Sequence, residues 1–546
     1  MMSHAPVFVV ITPILGALLM GLLNPFVKKE LYRDLIALVS LMTPLVLMLY
    51  IYRTDTNVVY EMGGWPRPYG LVLVVDGLSA LMVLMAGIVT VTTFLYSLEE
   101  KRLLPSGNRY NFLFLFMAAG LYGVFMAGDI VNRYVFFELT IISTYVLLTY
   151  KGTKESLRAS YNFLIIGSTA SFFFLAGIGL LYFNTGFLDF GALRGTVPYI
   201  DQGTRNIIFS FFIIAIGMKM GLIPFHTWFS DAHVNAPTPM TAILAALTIK
   251  TGLYIMIKLF SIGFDTLPIR WILVFLGAIT ALTGVVMTLK YTDLKRILAW
   301  FTMSQMGMIV VSIALWSPLG IAGGVMHLVN HSFFIGLLFL SCGTLAYVHG
   351  TRDIRELPLL RSNILLSVGF LIGTLAILGI PPLNGYYSGS MILQASSRYP
   401  AVYIVLILTY LLTAVSFFRI FALSSGISDL SSPPESMLIP LVVLAGLCVF
   451  LGALSPLWMR NAVFPAVRAI QPGAVFEGSY PYLNIHGLVL VVTSMSGAFI
   501  GYFFAPFISG LKLEWADGLL SRVPVTDAIR YMIIVMALVL VLFTIL

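Results

Sequence analysis

Apolar runs of roughly twenty residues alternate with short polar connections along the whole chain, and this pattern predicts an all-α, polytopic transmembrane bundle. A hydrocarbon core about 30 Å thick takes roughly 20 helical residues to cross. Runs of that kind lie at 6–26, 34–51, 71–97, 110–128, 130–150, 161–183, 207–223, 240–260, 271–289 and 297–316. They continue at 319–348, 364–380 running on to 396, 401–423, 437–454, 485–507 and 528–546, about sixteen spans in all. Two runs are interrupted at prolines, in Gly221-Leu222-Ile223-Pro224 and Gly379-Ile380-Pro381-Pro382. Broken helices at corresponding places in two halves point to an internal repeat with sites where the backbone is interrupted; proline kinks in a plain bundle are the alternative. The longest polar stretches, 184–205 and 460–484, are too short to bury a core, so no soluble domain is expected.

Composition sharpens this picture. Of the 546 residues 59% are hydrophobic and only 10% charged, against about a quarter charged in soluble domains. The net charge of +8 is scattered through connections rather than gathered on a face, so it reads as loop charge and not as a nucleic-acid footprint. Odd-numbered connections hold most of it, including Lys28, Lys29, Lys101, Arg102, Lys151, Lys154, Lys290, Lys295, Arg352 and Arg355. Even-numbered ones hold fewer cations, such as Arg53, Arg67, Arg194, Arg205 and Arg270. By the positive-inside rule both termini are expected on the outer face of a cell membrane. The first run follows no basic segment and reads as a span rather than a removable signal. Cys342 and Cys448 stand alone in apolar runs, so iron–sulfur, zinc and disulfide frameworks find no support and no cofactor is expected.

A charge at a helix centre costs on the order of 2.5–3.5 kcal/mol on insertion scales, so one placed there calls for a partner, water or a function. Glu138, Lys219, Lys250, His327 and His331 are so placed. Glu138 and Lys219, on separate spans, can hold each other ionised, and their separation would release a proton from the lysine. A static ion pair tying two helices is the other reading. Lys250 has no acid within its span, and Asp231 lies beyond the broken helix. His327 and His331, one turn apart, suit a water-linked proton relay, with interhelical hydrogen bonding as the alternative. Two ligands on one face of one helix cannot take opposite sides of a haem iron. Asp129, Arg133, Lys258 and Lys290, near span ends, read as interfacial anchors.

The stretch GMKMGLIPFHTWFSDAHVNAPTPMTA from Gly217 to Ala242, followed by Lys250, resembles the signature of the antiporter-like membrane subunits of respiratory complex I, Mrp-type sodium/proton antiporters and energy-converting membrane-bound hydrogenases. GDIVNRYVFFE ending at Glu138, DLKRILAWFTMSQMG from Asp293, HLVNHSFFIGLLF from His327 and Gly379-Ile380-Pro381-Pro382-Leu383 carry the same resemblance. It implies a core of about fourteen helices built from two inverted five-helix repeats, each with a broken helix, plus about two extra C-terminal spans. The corresponding division is 1–109, a first repeat at 110–260, a second at 261–423 and C-terminal helices at 424–546. It also implies that Glu138 modulates, Lys219 carries, Lys250 connects and the histidines relay outward.

The chain departs from the family pattern at three places. Ile335 stands where a lysine is usual four residues after the second histidine, and Gly389 where a lysine or glutamate follows the second break. Asn384, Tyr386, Tyr387, Ser388 and Ser390 can line water there, but none titrates near neutral pH. Arg133 replaces a usually apolar residue. The expected function is proton or cation (possibly Na+) translocation by a subunit that is not catalytic alone, working with other integral membrane subunits of a redox or Mrp-type complex. A degenerate docking subunit without a complete ion path is the alternative.

Overall fold

The computed structural model describes residues 4–23, 30–54, 57–103, 107–426, 432–476 and 481–510, with Ala537 beyond them. Among the described residues fourteen helices are long and apolar enough to cross a membrane. Helices α1 (Ala5–Leu23) and α2 (Glu30–Thr54) pack on each other at the edge of the bundle. The span expected from residue 71 begins later: Val72–Val75 forms β2, antiparallel to β1 (Val58–Glu61), with Val58 opposite Val75. Asp76 sets the boundary, because its carboxylate accepts from the Ser79 amide at 2.8 Å and caps α3 (Gly77–Glu100). The β-branched run ahead of that cap is left to pair as a strand.

The first group of core helices is α4 (Gly107–Met126), α5 (Ile130–Leu148), α6 (Lys154–Thr185), the short α7 (Phe190–Thr196) and α8 (Gln202–Met220). The chain then unwinds at Gly221 (φ 69°) and continues through α9 (Phe229–Asn235). Next comes one crossing, buried along most of its length, made of α10 (Thr238–Ile243), a π-helical turn at Leu244–Thr248 and α11 (Ile249–Leu259). The second group is α12 (Leu267–Thr288), α13 (Leu294–Ala314), α14 (Pro318–His349), α15 (Ile364–Ile377), α16 (Asn384–Ser396) and α17 (Pro400–Leu423). The long run expected at 364–396 is thus two half-helices parted at Gly379 (φ 66°). The run at 528–546 lies outside the described residues but for Ala537.

The second group repeats the first. An isolated bridge joins Asp129 to Asp189, and another joins Asp293 to Asp353. The same interval carries Asp129 onto Asp293, Asp189 onto Asp353, and the left-handed Gly186 onto Gly350; α6 and α14 are both 32 residues long. Asp129 follows the fourth span and Asp293 the ninth, so an odd number of crossings turns the second copy upside down. Unwound backbone at membrane depth needs partners from the protein. At the first break the Thr280 hydroxyl accepts from the Ile223 amide at 3.0 Å, and the Trp228 indole donates to the Met218 carbonyl at 2.8 Å. At the second, Gly385 lets α16 start against the end of α15, where a Cβ would overlap the Ala376 carbonyl oxygen.

Helices α18 (Glu435–Ala453), α19 (Ser455–Trp458), α20 (Phe464–Ile470), α21 (Ile485–Phe503) and α22 (Ala505–Gly510) complete the described chain. Gly497 and Gly501 seat α21 on the backbone of α17 at the Leu411 and Val415 carbonyls, a small-xxx-small contact. Gly385→Ala is expected to cost about 1–3 kcal/mol through overpacking. Gly446→Ala on α18, where a new methyl meets nothing within 4 Å, should be near neutral. Thermal denaturation of the two variants in detergent compares them, and equal midpoints would refute the close crossing of α15 and α16.

Candidate functional site

Three helices bring the first cluster together. Lys219, 6% exposed, lies in the last turn of α8, where the helix dipole favours a cation. Its ammonium donates to Glu138 Oε1 of α5 at 3.2 Å and to Ser171 Oγ of α6 at 3.0 Å, and stands 4.3 Å from the centre of the Phe137 ring. The Ser171 hydroxyl in turn donates to Glu138. The expected carboxylate–ammonium pair is therefore formed, with the Ser171 hydroxyl bonded to both members. Ser171 gives no signal in the sequence, since a lone serine is ordinary in a membrane helix. The Glu138 side chain is 23% exposed, so this carboxylate reaches the outer surface of the bundle.

Lys250 is fully buried and has no carboxylate within ion-pair distance among the described residues. Its ammonium donates instead to the carbonyls of Ala245 at 3.0 Å and Ala246 at 2.8 Å. Both belong to the π-helical turn, whose altered backbone pairing presents carbonyls to a side chain reaching back toward the helix N-terminus. Ser332 of α14 shares the Ala246 carbonyl at 2.8 Å, and His327 and His331 lie within Coulombic reach of the lysine. The two histidines differ. His327 bridges Ser388 Oγ of α16 at 2.9 Å and Gln305 Oε1 of α13 at 2.8 Å. His331 is buried with neither ring nitrogen bonded to protein, its ring edge-on to Phe334. Asn330 between them ties α14 to the Asn384 carbonyl at 2.7 Å.

The second repeat does not rebuild the first cluster. The repeat interval carries Glu138 onto Thr302 and Ser171 onto Ile335; the matched breaks carry Lys219 onto Ile377. Past the break, a Cβ at Gly389 would stand 2.7 Å from the Tyr410 hydroxyl and 2.9 Å from Leu490 of α21. Tyr410 and α21 thus fill the place where the resemblance leads one to expect a charge. The Tyr410 hydroxyl is itself buried without a protein partner.

Several charges read as interfacial anchors or loop cations are built into the interior. Arg133 is 2% exposed, its guanidinium 4.3 Å from the Phe190 ring and 5.1 Å from the Tyr254 ring. Lys258 pairs with Asp76 at 2.5 Å. Lys295, 3% exposed, donates to the Ala236 carbonyl at 2.6 Å and lines a cavity of about 340 Å³ with Lys151 and Arg352. Asp231 lies 3.6 Å from Arg296 and takes no part in the Lys250 environment. Depth along a span does not show these placements, because the covering groups come from the connections between helices.

A thermal-stability cycle on Glu138→Gln, Lys219→Leu and the double variant should give a coupling of about 0.5–3 kcal/mol, since each single change leaves the other group unpaired. Additive effects would refute the pair.

Residues 127–416 match the family described as NADH:quinone oxidoreductase/Mrp antiporter, transmembrane. A D-type subunit of the Na(+)/H(+) antiporter from Bacillus subtilis is 30% identical over 424 residues, 76% of this chain and 86% of that relative. An N-type subunit of the NADH-quinone oxidoreductase from Desulforudis audaxviator is 29% identical over 497 residues, 85% of this chain and 98% of its own length. Among solved structures, a chain of the membrane-bound sulfane sulfur reductase, an archaeal respiratory membrane complex, superposes with a TM-score of 0.79 at 24% identity. The match covers 91% of this chain and 100% of that one. A chain of the Mrp complex from Dietzia sp. gives 0.77 at 20% identity, over 87% of this chain and 98% of its own. With more than half of its length matched, the multi-pass membrane chain described above belongs to the NADH:quinone oxidoreductase/Mrp antiporter transmembrane family.

Proposed function

We propose that this chain is an ion-translocating subunit of a multi-subunit membrane complex of the Mrp or complex I type, moving protons along Glu138, Lys219, Lys250, His331 and His327. The observation that carries the reading is Lys250, an ammonium sealed in the bundle with only carbonyl dipoles to hold it. With no carboxylate fixing its charge, it can lose and regain a proton without breaking an ion pair. Upstream, Glu138 holds the proton on Lys219, and movement of the carboxylate away from the ammonium frees it. Downstream, the open ring nitrogens of His331 accept, and the hydrogen bonds of His327 lead on to Ser388. Past Ser388 the route runs through hydroxyls and water, with the Tyr410 hydroxyl beside Gly389 as the terminal polar group.

The partial exposure of the Glu138 carboxylate supports a neighbouring membrane subunit on that face, since a carboxylate facing hydrocarbon is costly. The loop charges support both termini on the outer face of a cell membrane. Protons, and Na+ as exchanged ion, fit the naming of the antiporter relatives. A second reading, a docking subunit with no complete path, is favoured by Thr302, Ile335, Ile377 and the packed Gly389.

Lys250→Ala separates the two. In vesicles carrying the whole complex, translocation is expected to fall to the leak rate while the subunits still co-purify; undiminished pumping would leave the docking reading. His331→Phe should also stop transport with little change in stability. His327→Phe should lower stability by about 1–3 kcal/mol, because it removes the protein partner of Gln305 Oε1, whereas Ser388 keeps its bond from Asn330 at 3.1 Å. Equal stability losses at both positions would contradict the division of roles.

A further inference from the structure

Arg133 is an unusual residue for a membrane helix, and the relay makes no use of it. The residue is 2% exposed, and its guanidinium carbon lies 4.3 Å from the ring centre of Phe190 of α7 and 5.1 Å from that of Tyr254 of α11. One Nη donates to the Ala127 carbonyl, whereas Nε and the other Nη have no protein partner. A buried cation with two unmet donors is costly unless something else supplies acceptors.

The surroundings select what that is. Arg133 lines a cavity of about 140 Å³ with Arg67, Arg194, Lys258 and Asp76. Asp76 is already paired with Lys258 at 2.5 Å: burial pushes its carboxyl up, but the adjacent ammonium holds it below the ordinary range. Arg67 lies 3.4 Å from Asp189, and Arg194 donates to the carbonyls of Ser261 at 3.1 Å and Ile470 at 3.0 Å. Asp129 commits one oxygen to the Asn132 amide at 2.6 Å and forms no ion pair with Arg133 among the described residues. Burial pushes the Asp129 carboxyl up, against the pull of that amide and of Arg133. Four cations and one carboxylate, Asp76, thus line the cavity, and the guanidiniums of Arg133 and Arg194 have no carboxylate partner among the described residues.

We propose that this cavity binds a tetrahedral oxyanion of the phosphate class, held by the free edge of Arg133 and completed by Arg194 and Arg67. Guanidinium edges present parallel N–H groups that match two oxygens of such an anion, which a spherical halide cannot exploit. The two neighbouring rings and the bond to the Ala127 carbonyl hold Arg133 in place, so its remaining donors are positioned before an anion arrives. The position faces the same side as the strand pair β1–β2, reached through the half-exposed Arg67. The inference is independent of the relay, because none of these residues belongs to it.

The test uses the full chain in its membrane complex, purified in detergent at low ionic strength. Titration calorimetry with inorganic phosphate and with selenate should show saturable, mutually competitive binding that equimolar chloride does not displace. Selenium anomalous scattering should place selenate beside Arg133. Affinity should fall roughly tenfold or more in Arg133→Gln and in Arg194→Gln, about the worth of one charge-assisted hydrogen bond. Arg194→Gln guards against misfolding of the first variant. Native mass spectrometry distinguishes the source: a phospholipid retained by the wild type and lost from Arg133→Gln assigns the phosphate to a headgroup, and titratable binding without retained lipid assigns a free ion. Phosphate and lipid binding indifferent to both arginines, or chloride competing equally, overturns the proposal.

Discussion

Lys250 has to stay solvated at a depth where its own helix offers no carboxylate, and the middle of the protein is arranged around that requirement. The π-helical turn ahead of it supplies two carbonyls, and Ser332 of α14 binds one of the same carbonyls from the other side. A regular α-helix would direct those carbonyls along its own axis into backbone bonds. The turn therefore does with fixed backbone dipoles for this lysine what a counter-ion does for Lys219. Its surroundings are closely packed: an 18-residue stretch of the crossing from Thr238 to Phe264 is wholly buried, as are stretches of the same length in α13 and α14.

The same fold appears twice with different chemistry in each copy. Repetition of the Asp129–Asp189 bridge as Asp293–Asp353, and of the glycine and proline breaks, preserves the scaffold down to individual turns. Yet the trio Glu138, Ser171 and Lys219 becomes Thr302, Ile335 and Ile377. Backbone architecture and charge placement have separated, since the breaks are stabilised by glycine dihedrals and backbone partners rather than by the ions they flank.

Span positions are legible in the sequence because hydrocarbon thickness imposes a length, and the Glu138–Lys219 pair because unpaired charge at that depth is expensive. Lys250 and the histidines are legible for the same reason, as ionisable groups at mid-span, and the resemblance adds the roles it implies for them. The difference between His327 and His331 is not legible: they sit one turn apart on one helix, and only the arrival of Gln305 and Ser388 from other helices separates them. Arg133 and Lys258 pass for anchors for a related reason. Their depth suits snorkelling, but the connection carrying α7 folds over Arg133, and Asp76 from the end of β2 meets Lys258. The strand at Val72–Val75 is hidden in an apolar run that hydropathy alone joins to the helix behind it.

The seating of α21 has a steric consequence at position 389. Its two glycines bring it so close to α17 that Leu490 reaches the face of α16 at Gly389, so a long side chain there and this helix compete for one volume. A lysine at position 389 is therefore not a local change: its side chain needs the volume that Leu490 and the Tyr410 hydroxyl already fill, and α21 has to shift away from α17 to admit it.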